Sequence, residues 1–198
     1  MIEFITTEQQ TVTTWAGGTT RELAISPQGS SLVARDFHWR FSSADVNASG
    51  AFSDFTGYQR YLSIRQGAGL TLHVDAHQMT LASPRYVAVF AGHASTHGEL
   101  VAGAVRDVNL IVRLAEDATA GLRDVEFLPL QLQPQPLWLK RDQARLWLVY
   151  ADQGPVQLLV DGQQVDLAQG VVAKVTTAAF AVSAQTPTEA VIVSLPVA

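Results

Sequence analysis

The chain has 198 residues, 47% of them hydrophobic and 16% charged, and its formal net charge at pH 7 is -5. This composition argues against disorder and provides for one large core or two small ones, while the scattered basic residues argue against nucleic-acid and anionic membrane partners. There is no cysteine, no basic and apolar leader at the N-terminus, and no apolar run of about 18 residues. We therefore expect a cytoplasmic protein with neither disulfides nor a membrane span.

Short segments of alternating apolar and polar residues follow one another along most of the chain. The first half predicts strands at 11–15, 20–26, 37–46, 70–74, 79–81, 86–90 and 105–114, and a strand through Arg60, Leu62 and Ile64. The second half predicts strands at 137–140, 145–150, 156–160, 164–167, 171–175, 180–183 and 190–195. Residues 92–98 predict a histidine-bearing loop, 116–123 a short helix-like piece, and 129–136 a proline-punctuated connection. Strands this short, with turn signals about every 8–12 residues, predict a β-sandwich or barrel.

An internal repeat supports a two-part organisation. When the chain is shifted by 86 positions, a hairpin pattern recurs, with six identities between residues 62–81 and 148–167. The polar residues of the first copy mostly become apolar in the second, and Arg60 falls on Leu146. Polar side chains inside a barrel require partners. We therefore place any ligand site in the first copy, and the alternative is that two generic hairpins coincide.

Alternation along three strands predicts a polar constellation. Arg60 shares a strand face with Leu62 and Ile64. Arg40 and Ser42 share one face of a second strand, and Thr20 and Glu22 share one face of a third. A guanidinium directed into a barrel needs a carboxylate, supplied either by a ligand or by the protein. The two interpretations are therefore a small carboxylate site and a structural ion pair between Glu22 and one of the two arginines.

Metal and nucleophile patterns are weak. The histidines His38, His73, His77, His93 and His97 include no pair at i, i+2 spacing, which would place both imidazoles on one side of a strand. There is no cysteine and no Gly-x-Ser-x-Gly sequence. We therefore predict no metal site, no cofactor and no catalytic nucleophile.

Three segments resemble the HutD/Ves family: residues 15–22, WAGGTTRE; residues 37–42, FHWRFS; and residues 50–60, GAFSDFTGYQR. The resemblance implies a bicupin, that is, two tandem jelly-roll β-barrels. It also implies a role in bacterial histidine utilisation, with N-formylglutamate or urocanate as the ligand. In the Ves branch the association is instead with a response to cold. The His-x-His metal set of the broader cupin superfamily is missing here, and the matching motif positions are Thr20, Glu22, Arg40, Ser42 and Arg60.

The combined prediction is an all-β bicupin with an N-terminal barrel at 1–115 that carries the site and a degenerate C-terminal barrel at 116–198. Arg60 grips the carboxylate, and Arg40, Ser42, Thr20 and Glu22 order the rest of the ligand. We predict a non-enzymatic binding or regulatory protein, and a homodimer. The alternative is a cupin enzyme, either metal-dependent or metal-free with Glu22 as the base.

Overall fold

The computed structural model describes residues 2–114 and 124–197, so the helix-like prediction at 116–123 lies outside the described residues. Apart from one turn of 3-10 helix at Thr7–Gln9, the regular structure of these residues is β-strand. The all-β class is therefore confirmed. No described helix is long and apolar enough to cross a membrane. The strands are β1 (Ile2–Ile5), β2 (Thr11–Trp15), β3 (Gly18–Ser26), β4 (Trp39–Val46), β5 (Gly50–Ala51), β6 (Tyr58–Gln66), β7 (Leu70–Val74), β8 (His77–Leu81), β9 (Ala88–Ala91), β10 (Thr96–Leu100), β11 (Val105–Arg113), β12 (Glu126–Leu132), β13 (Leu137–Tyr150), β14 (Val156–Val160), β15 (Gln163–Leu167), β16 (Val172–Ser183) and β17 (Thr188–Pro196).

The described residues divide into two compact units, 10–114 and 2–9 with 124–197. The first strand, β1, belongs to the second unit because it pairs antiparallel with β16, Ile2 opposite Val175. The alternation of residues 2–5 gives no sign of this partner, since the two paired strands are far apart in the sequence.

Unit 10–114 contains two sheets. The larger has the order β2-β3-β4-β11-β6-β9 and the smaller the order β5-β10-β7-β8. One apolar cluster joins them, with Leu62 and Phe90 from the larger sheet and Leu70 and Leu72 from the smaller. The unit is therefore a sandwich whose two inner faces share a core. Each sheet ends in two edge strands along the described pairings, so closure into a barrel stays a prediction.

Unit 2–9 with 124–197 contains one sheet, of order β12-β17-β13-β16-β14-β15, with β1 added to β16. Its core is apolar and is built around the fully buried Trp147, whose ring meets Phe180 edge to face at 5.2 Å. Of the fourteen buried polar residues in the described part of the chain, only Asp152, Thr188 and Ser194 belong to this unit. Buried polarity is thus concentrated in unit 10–114.

The repeated hairpin has the same geometry in both copies. The bounds of β7 and β8 shifted by 86 positions are those of β14 and β15, and Val74 pairs with His77 as Val160 pairs with Gln163. The first turn residue, an aspartate in each copy, has a φ of 50° in both. Aspartate tolerates this left-handed conformation better than most residues, so one turn chemistry fixes both registers.

Several predicted boundaries were wrong. The loop predicted at 92–98 contains the start of β10, and the connection predicted at 129–136 overlaps β12. Pro129 is accommodated because β12 is an edge strand, which has one side without ladder bonds and therefore tolerates a residue that lacks an N–H. The strands predicted at 137–140 and 145–150 are one strand, β13, whose register shifts between Lys140 and Arg145. A bulge of this kind leaves the charged residues that interrupt the alternation unpaired in the ladder while the strand continues.

Candidate functional site

Strand pairing brings the predicted site residues to one side of the larger sheet of unit 10–114. Residues directly opposite each other on antiparallel strands point to the same side of a sheet. Following these pairs across β3, β4, β11 and β6 identifies one face with seven polar residues, which we call the polar face: Thr20, Glu22, Arg40, Ser42, Arg60, Asp107 and Asn109. All five residues predicted from sequence lie on it, together with two that were not predicted.

The polar face continues directly into the core of the sandwich. On β6, Leu62 and Ile64 follow Arg60 on the same side and belong to the cluster that joins the two sheets. Exposure decreases across the sheet: β2 is exposed throughout, β3 is half-buried, and β4 is buried from Trp39 to Ser43. The face is therefore reached from the β2 and β3 side and ends in the interior at β6.

Arg40 is held in place by two neighbours on the polar face. Its Nε donates to Glu22 Oε2 at 2.7 Å, and its Nη1 donates to Ser42 Oγ at 3.3 Å. The Glu22 side chain is 23% exposed and that of Arg40 9%. The structural ion pair of Glu22 with Arg40, which was one interpretation of the sequence, is thus present. It leaves Arg60 as the arginine of the polar face without an ion-paired carboxylate among residues 2–114 and 124–197.

Arg60 lies among aromatic rings. Its guanidinium carbon is 4.7 Å from the centroid of Phe52, 5.3 Å from that of Phe90 and 5.6 Å from that of Phe55. Its Nη1 donates to the carbonyl oxygen of Ser53 at a long 3.4 Å, and its buried Nε has no hydrogen-bond partner among the described residues. The rings favour a cation at this point without satisfying its N–H groups.

The charge of Arg60 persists at neutral pH. Burial lowers the pKa of Arg60 to about 10, while the field of Asp107 opposes this change and that of Arg40 adds to it. A guanidinium with a pKa near 10 is still protonated at pH 7. The polar face therefore contains two arginine charges and two carboxyl groups, Glu22, which is paired with Arg40, and Asp107.

Asp107 lies on β11, next to β4 and β6, and is only 4% exposed. Burial raises the pKa of Asp107 to about 7, although Arg60 and a backbone hydrogen bond at Ala44 act in the opposite direction. Its Oδ1 is buried and has no hydrogen-bond partner in the part of the chain that the structure describes. Asp107 is therefore a carboxyl group that changes charge near neutral pH inside the sandwich.

Asn109 lies two positions further along β11, opposite Ser42, and is 8% exposed. Its Oδ1 is also buried without a hydrogen-bond partner. Together with Arg60 Nε and Asp107 Oδ1, this makes three unsatisfied polar atoms on one face. Native structures rarely leave buried polar atoms unpaired, so their concentration here makes the polar face the candidate site.

Thr20 lies at the rim of the polar face. It is half-buried, pairs with Ala44 across the sheet, and its Oγ1 accepts a hydrogen bond from Trp15 Nε1 at 3.1 Å. Thr20 is thus brought to the same face as Arg60 but towards its exposed side. Arg65 lies on the opposite face of β6 and donates to the carbonyl oxygen of Pro84 at 2.6 Å.

The sequence contains a signal for the two unpredicted members. In residues 105–113, VRDVNLIVR, Asp107 and Asn109 stand two positions apart among apolar residues. An i, i+2 pair of short polar side chains on a buried strand places both on one side. What the pattern cannot show is that β11 lies between β4 and β6.

Metal-ligand clusters and surface grooves are the alternatives to the polar face as a site. Among residues 2–114 and 124–197, no three His, Asp or Glu side chains are placed so that they could hold a metal ion. A groove of about 550 Å³ lies on the reverse side of the same sheet, lined in part by Thr19, Gln66 and the ion pair of Arg106 with Asp45. No residue of the polar face lines this groove. Its charged groups already have partners, so the unsatisfied atoms favour the polar face as the site.

Comparison with known proteins gives a family match over most of the chain. A family model described as HutD matches residues 7–192. A curated protein from Pseudomonas putida, described as an uncharacterized 21.2 kDa protein in the hutC 3' region, is 43% identical over 75 residues. That match covers 38% of the chain and 40% of the relative, so the chain spans less than half the length of this curated relative.

Solved structures match over the full length of both chains. A conserved protein of unknown function from Pseudomonas aeruginosa PAO1 is 27% identical with a TM-score of 0.84, and HutD from Pseudomonas fluorescens SBW25, in a formate condition, is 25% identical with a TM-score of 0.72. The bacterial pirin YhhW from Escherichia coli, in complex with nickel(II), is 10% identical with a TM-score of 0.76, which shows similarity of fold alone. Because the family model covers far more than half of the sequence, the chain belongs to the HutD family.

Proposed function

We propose that unit 10–114 binds a small carboxylate metabolite and that Arg60 holds the carboxylate. The observation that carries this proposal is a buried guanidinium with an unsatisfied Nε and no ion pair among the described residues. A buried charge is costly unless it is paired and hydrogen-bonded. A carboxylate offers two acceptor oxygens in the geometry that a guanidinium prefers, so such a ligand supplies the missing partner.

The other predicted residues have supporting roles in this proposal. Arg40 adds positive charge near Arg60, and Glu22 and Ser42 fix the orientation of its guanidinium. Thr20 lies on the half-buried strand through which the face is reached. The two arginines attract an anion, and the paired Glu22 limits the net charge that the ligand must neutralise.

Family membership directs the choice of ligand. The P. putida relative is described by its place in the hutC 3' region, and a full-length structural match is named HutD. We therefore propose a carboxylate intermediate of histidine utilisation, N-formylglutamate or urocanate, and a non-enzymatic role in modulating that pathway. Both molecules are small enough for a site of a few side chains.

The finer architecture is part of the same proposal. We propose a bicupin in which the ligand-binding barrel predicted at 1–115 is formed by unit 10–114, and the structural barrel predicted at 116–198 also takes in β1. The repeated hairpin, the sandwich of unit 10–114 and the apolar core around Trp147 support this assignment. We also propose a homodimer, because β2 is an exposed edge strand without a charged residue.

Titration calorimetry with N-formylglutamate and urocanate tests the ligand assignment. Arg60→Gln should weaken binding by about 100-fold, because charge-assisted hydrogen bonds are lost inside the protein. Arg65→Gln is the matched control, since Arg65 is an equally buried arginine on the opposite face of β6. Absence of binding to the wild type, or unchanged binding by Arg60→Gln, would contradict the proposal.

A metal-free enzyme is the second candidate, and Asp107 favours it. A carboxyl group with a pKa near 7 in an enclosed polar site suits general acid–base work at neutral pH. Glu22 is less suited to act as the base because it is already paired with Arg40. Nuclear magnetic resonance of each metabolite incubated with the protein distinguishes the two: turnover that Asp107→Asn abolishes supports an enzyme, and unchanged metabolite supports a binding protein.

A further inference from the structure

Two of the three unsatisfied atoms on the polar face are oxygens: Asn109 Oδ1 accepts hydrogen bonds at every pH, and Asp107 Oδ1 accepts them when the carboxyl is ionised. Asp107 Oδ1 and Asn109 Oδ1 are buried without hydrogen-bond partners, whereas the third atom, Arg60 Nε, is a donor. A carboxylate held by Arg60 satisfies the donor only. The acceptors require N–H or O–H groups, so a ligand that completes the face must carry more than a carboxylate.

The two acceptors are not explained by the fold. The polar face has apolar neighbours on the core side, Leu62 opposite Asn109 and Ile64 opposite Asp107. No basic side chain of the described residues forms an ion pair with Asp107, and both residues are more than nine-tenths buried. Apolar side chains at these positions would continue the core without leaving an unpaired group, so their polarity is a cost to the unliganded protein.

The spacing of the groups gives the ligand a length. Arg60 lies opposite Ile111 on β11, and Asn109 and Asp107 stand two and four positions from Ile111 along that strand. At about 3.3 Å per residue these positions lie roughly 7 and 13 Å from the level of Arg60. These are separations along the backbone, and the long Arg60 side chain reduces the gap, since Arg60 and Asp107 affect each other's pKa. A ligand that spans the face therefore carries its carboxylate and its hydrogen-bond donor on different groups.

We infer that Asp107 and Asn109 form a second subsite, which accepts hydrogen bonds from an N–H group of the ligand and selects small carboxylates that carry such a group. The inference rests on the proposed function, because it assumes that Arg60 binds the carboxylate. The subsite favours carboxylates that carry a formamide or imidazole N–H. It binds plain dicarboxylates, and carboxylates with an oxygen heterocycle, more weakly. A site that hydrogen-bonds a ligand group rejects analogues that lack it, because its own buried atoms are then left unpaired.

Matched pairs of ligands test the subsite. Urocanate is compared with 3-(2-furyl)acrylate, whose furan ring has no N–H, and N-formylglutamate with glutarate, which keeps both carboxylates and lacks the formamide. In at least one pair the wild type should bind the N–H member at least about tenfold more tightly. In Asn109→Leu and Asp107→Leu this ratio should fall towards one. Ser63→Ala, which removes a hydroxyl from the opposite face of β6, should preserve the ratio.

Thermal unfolding of the unliganded variants provides the second measurement. If the two residues serve the ligand, Asn109→Leu should unfold at the same temperature as the wild type or higher. A large drop in melting temperature, or a failure to fold, would show that Asn109 stabilises the fold and would overturn the inference for that residue. The ligand ratio measured in Asp107→Leu would then decide whether Asp107 belongs to the subsite. If no member of either pair binds the wild type, the proposed function fails. If both members of each pair bind equally, the proposed function stands and the subsite is overturned.

Discussion

The buried carboxyl of Asp107 makes a quantitative prediction about stability. Asp107→Asn keeps the size of the side chain and one acceptor oxygen but removes the ionisation. Burial raises the pKa of Asp107 from an ordinary 3.8 to about 7. The folded protein therefore holds a proton on this group between about pH 4 and pH 7, where the unfolded chain has already released it.

The sign and size of the effect follow from this difference. Because the folded state binds more protons, stability falls as pH rises from about 4 to 7, and the full loss is present above pH 7. A pKa difference of about three corresponds to about 4 kcal/mol. Between pH 5 and pH 8 the free energy of unfolding of the wild type should fall, relative to Asp107→Asn, by about 2–3 kcal/mol.

Urea unfolding followed by tryptophan fluorescence at pH 5 and pH 8 measures this difference. The stability of Asp107→Asn relative to the wild type should be greater at pH 8 than at pH 5. The m-values of the two proteins should agree at each pH, so that their midpoints can be compared. Asp142→Asn is the matched control, because Asp142 is exposed on β13 and its carboxylate is in water in both states. If the advantage of Asp107→Asn were the same at both pH values, a buried unpaired carboxyl would be the wrong description.

Two further substitutions test the packing. A Cβ on Gly92 would lie 2.1 Å from the carbonyl oxygen of Phe55, so Gly92→Ala should lower the free energy of unfolding by about 1–3 kcal/mol in thermal unfolding. Gly50→Ala is the control and should cost little, because no heavy atom lies within 4 Å of the added Cβ. Equal losses in both variants would refute the clash. In denaturant unfolding, Trp147→Ala should lower the free energy of unfolding by about 3–5 kcal/mol because the ring is fully buried. Trp138→Ala, at a residue that is 52% exposed, should change it by no more than about 1 kcal/mol. A small effect at Trp147 would show that the core of its unit is not organised around that ring.

Much of the site could be predicted from local pattern, because side chains alternate along a strand. The spacing of Arg40 and Ser42, and of Arg60 and Arg65, gives the face of each residue without knowledge of the partners. The Glu22–Arg40 pair was also one of two interpretations that the residue types allowed. The pattern failed where register changes, as in β13, because a bulge has no fixed sequence signal.

The sequence by itself missed β1, β10 and β12 and divided β13 in two, but it determined most of the strands, the faces of their side chains, the repeated hairpin and the family. These follow from short-range physics, namely alternation, turn chemistry and motif spacing. Only the tertiary structure decided that β11 lies between β4 and β6, which brings Asp107 and Asn109 beside Arg40 and Arg60. It also decided that β1 joins β16. Both are pairings between distant segments, and their free energy depends on the packing of whole sheets, which no window of sequence contains.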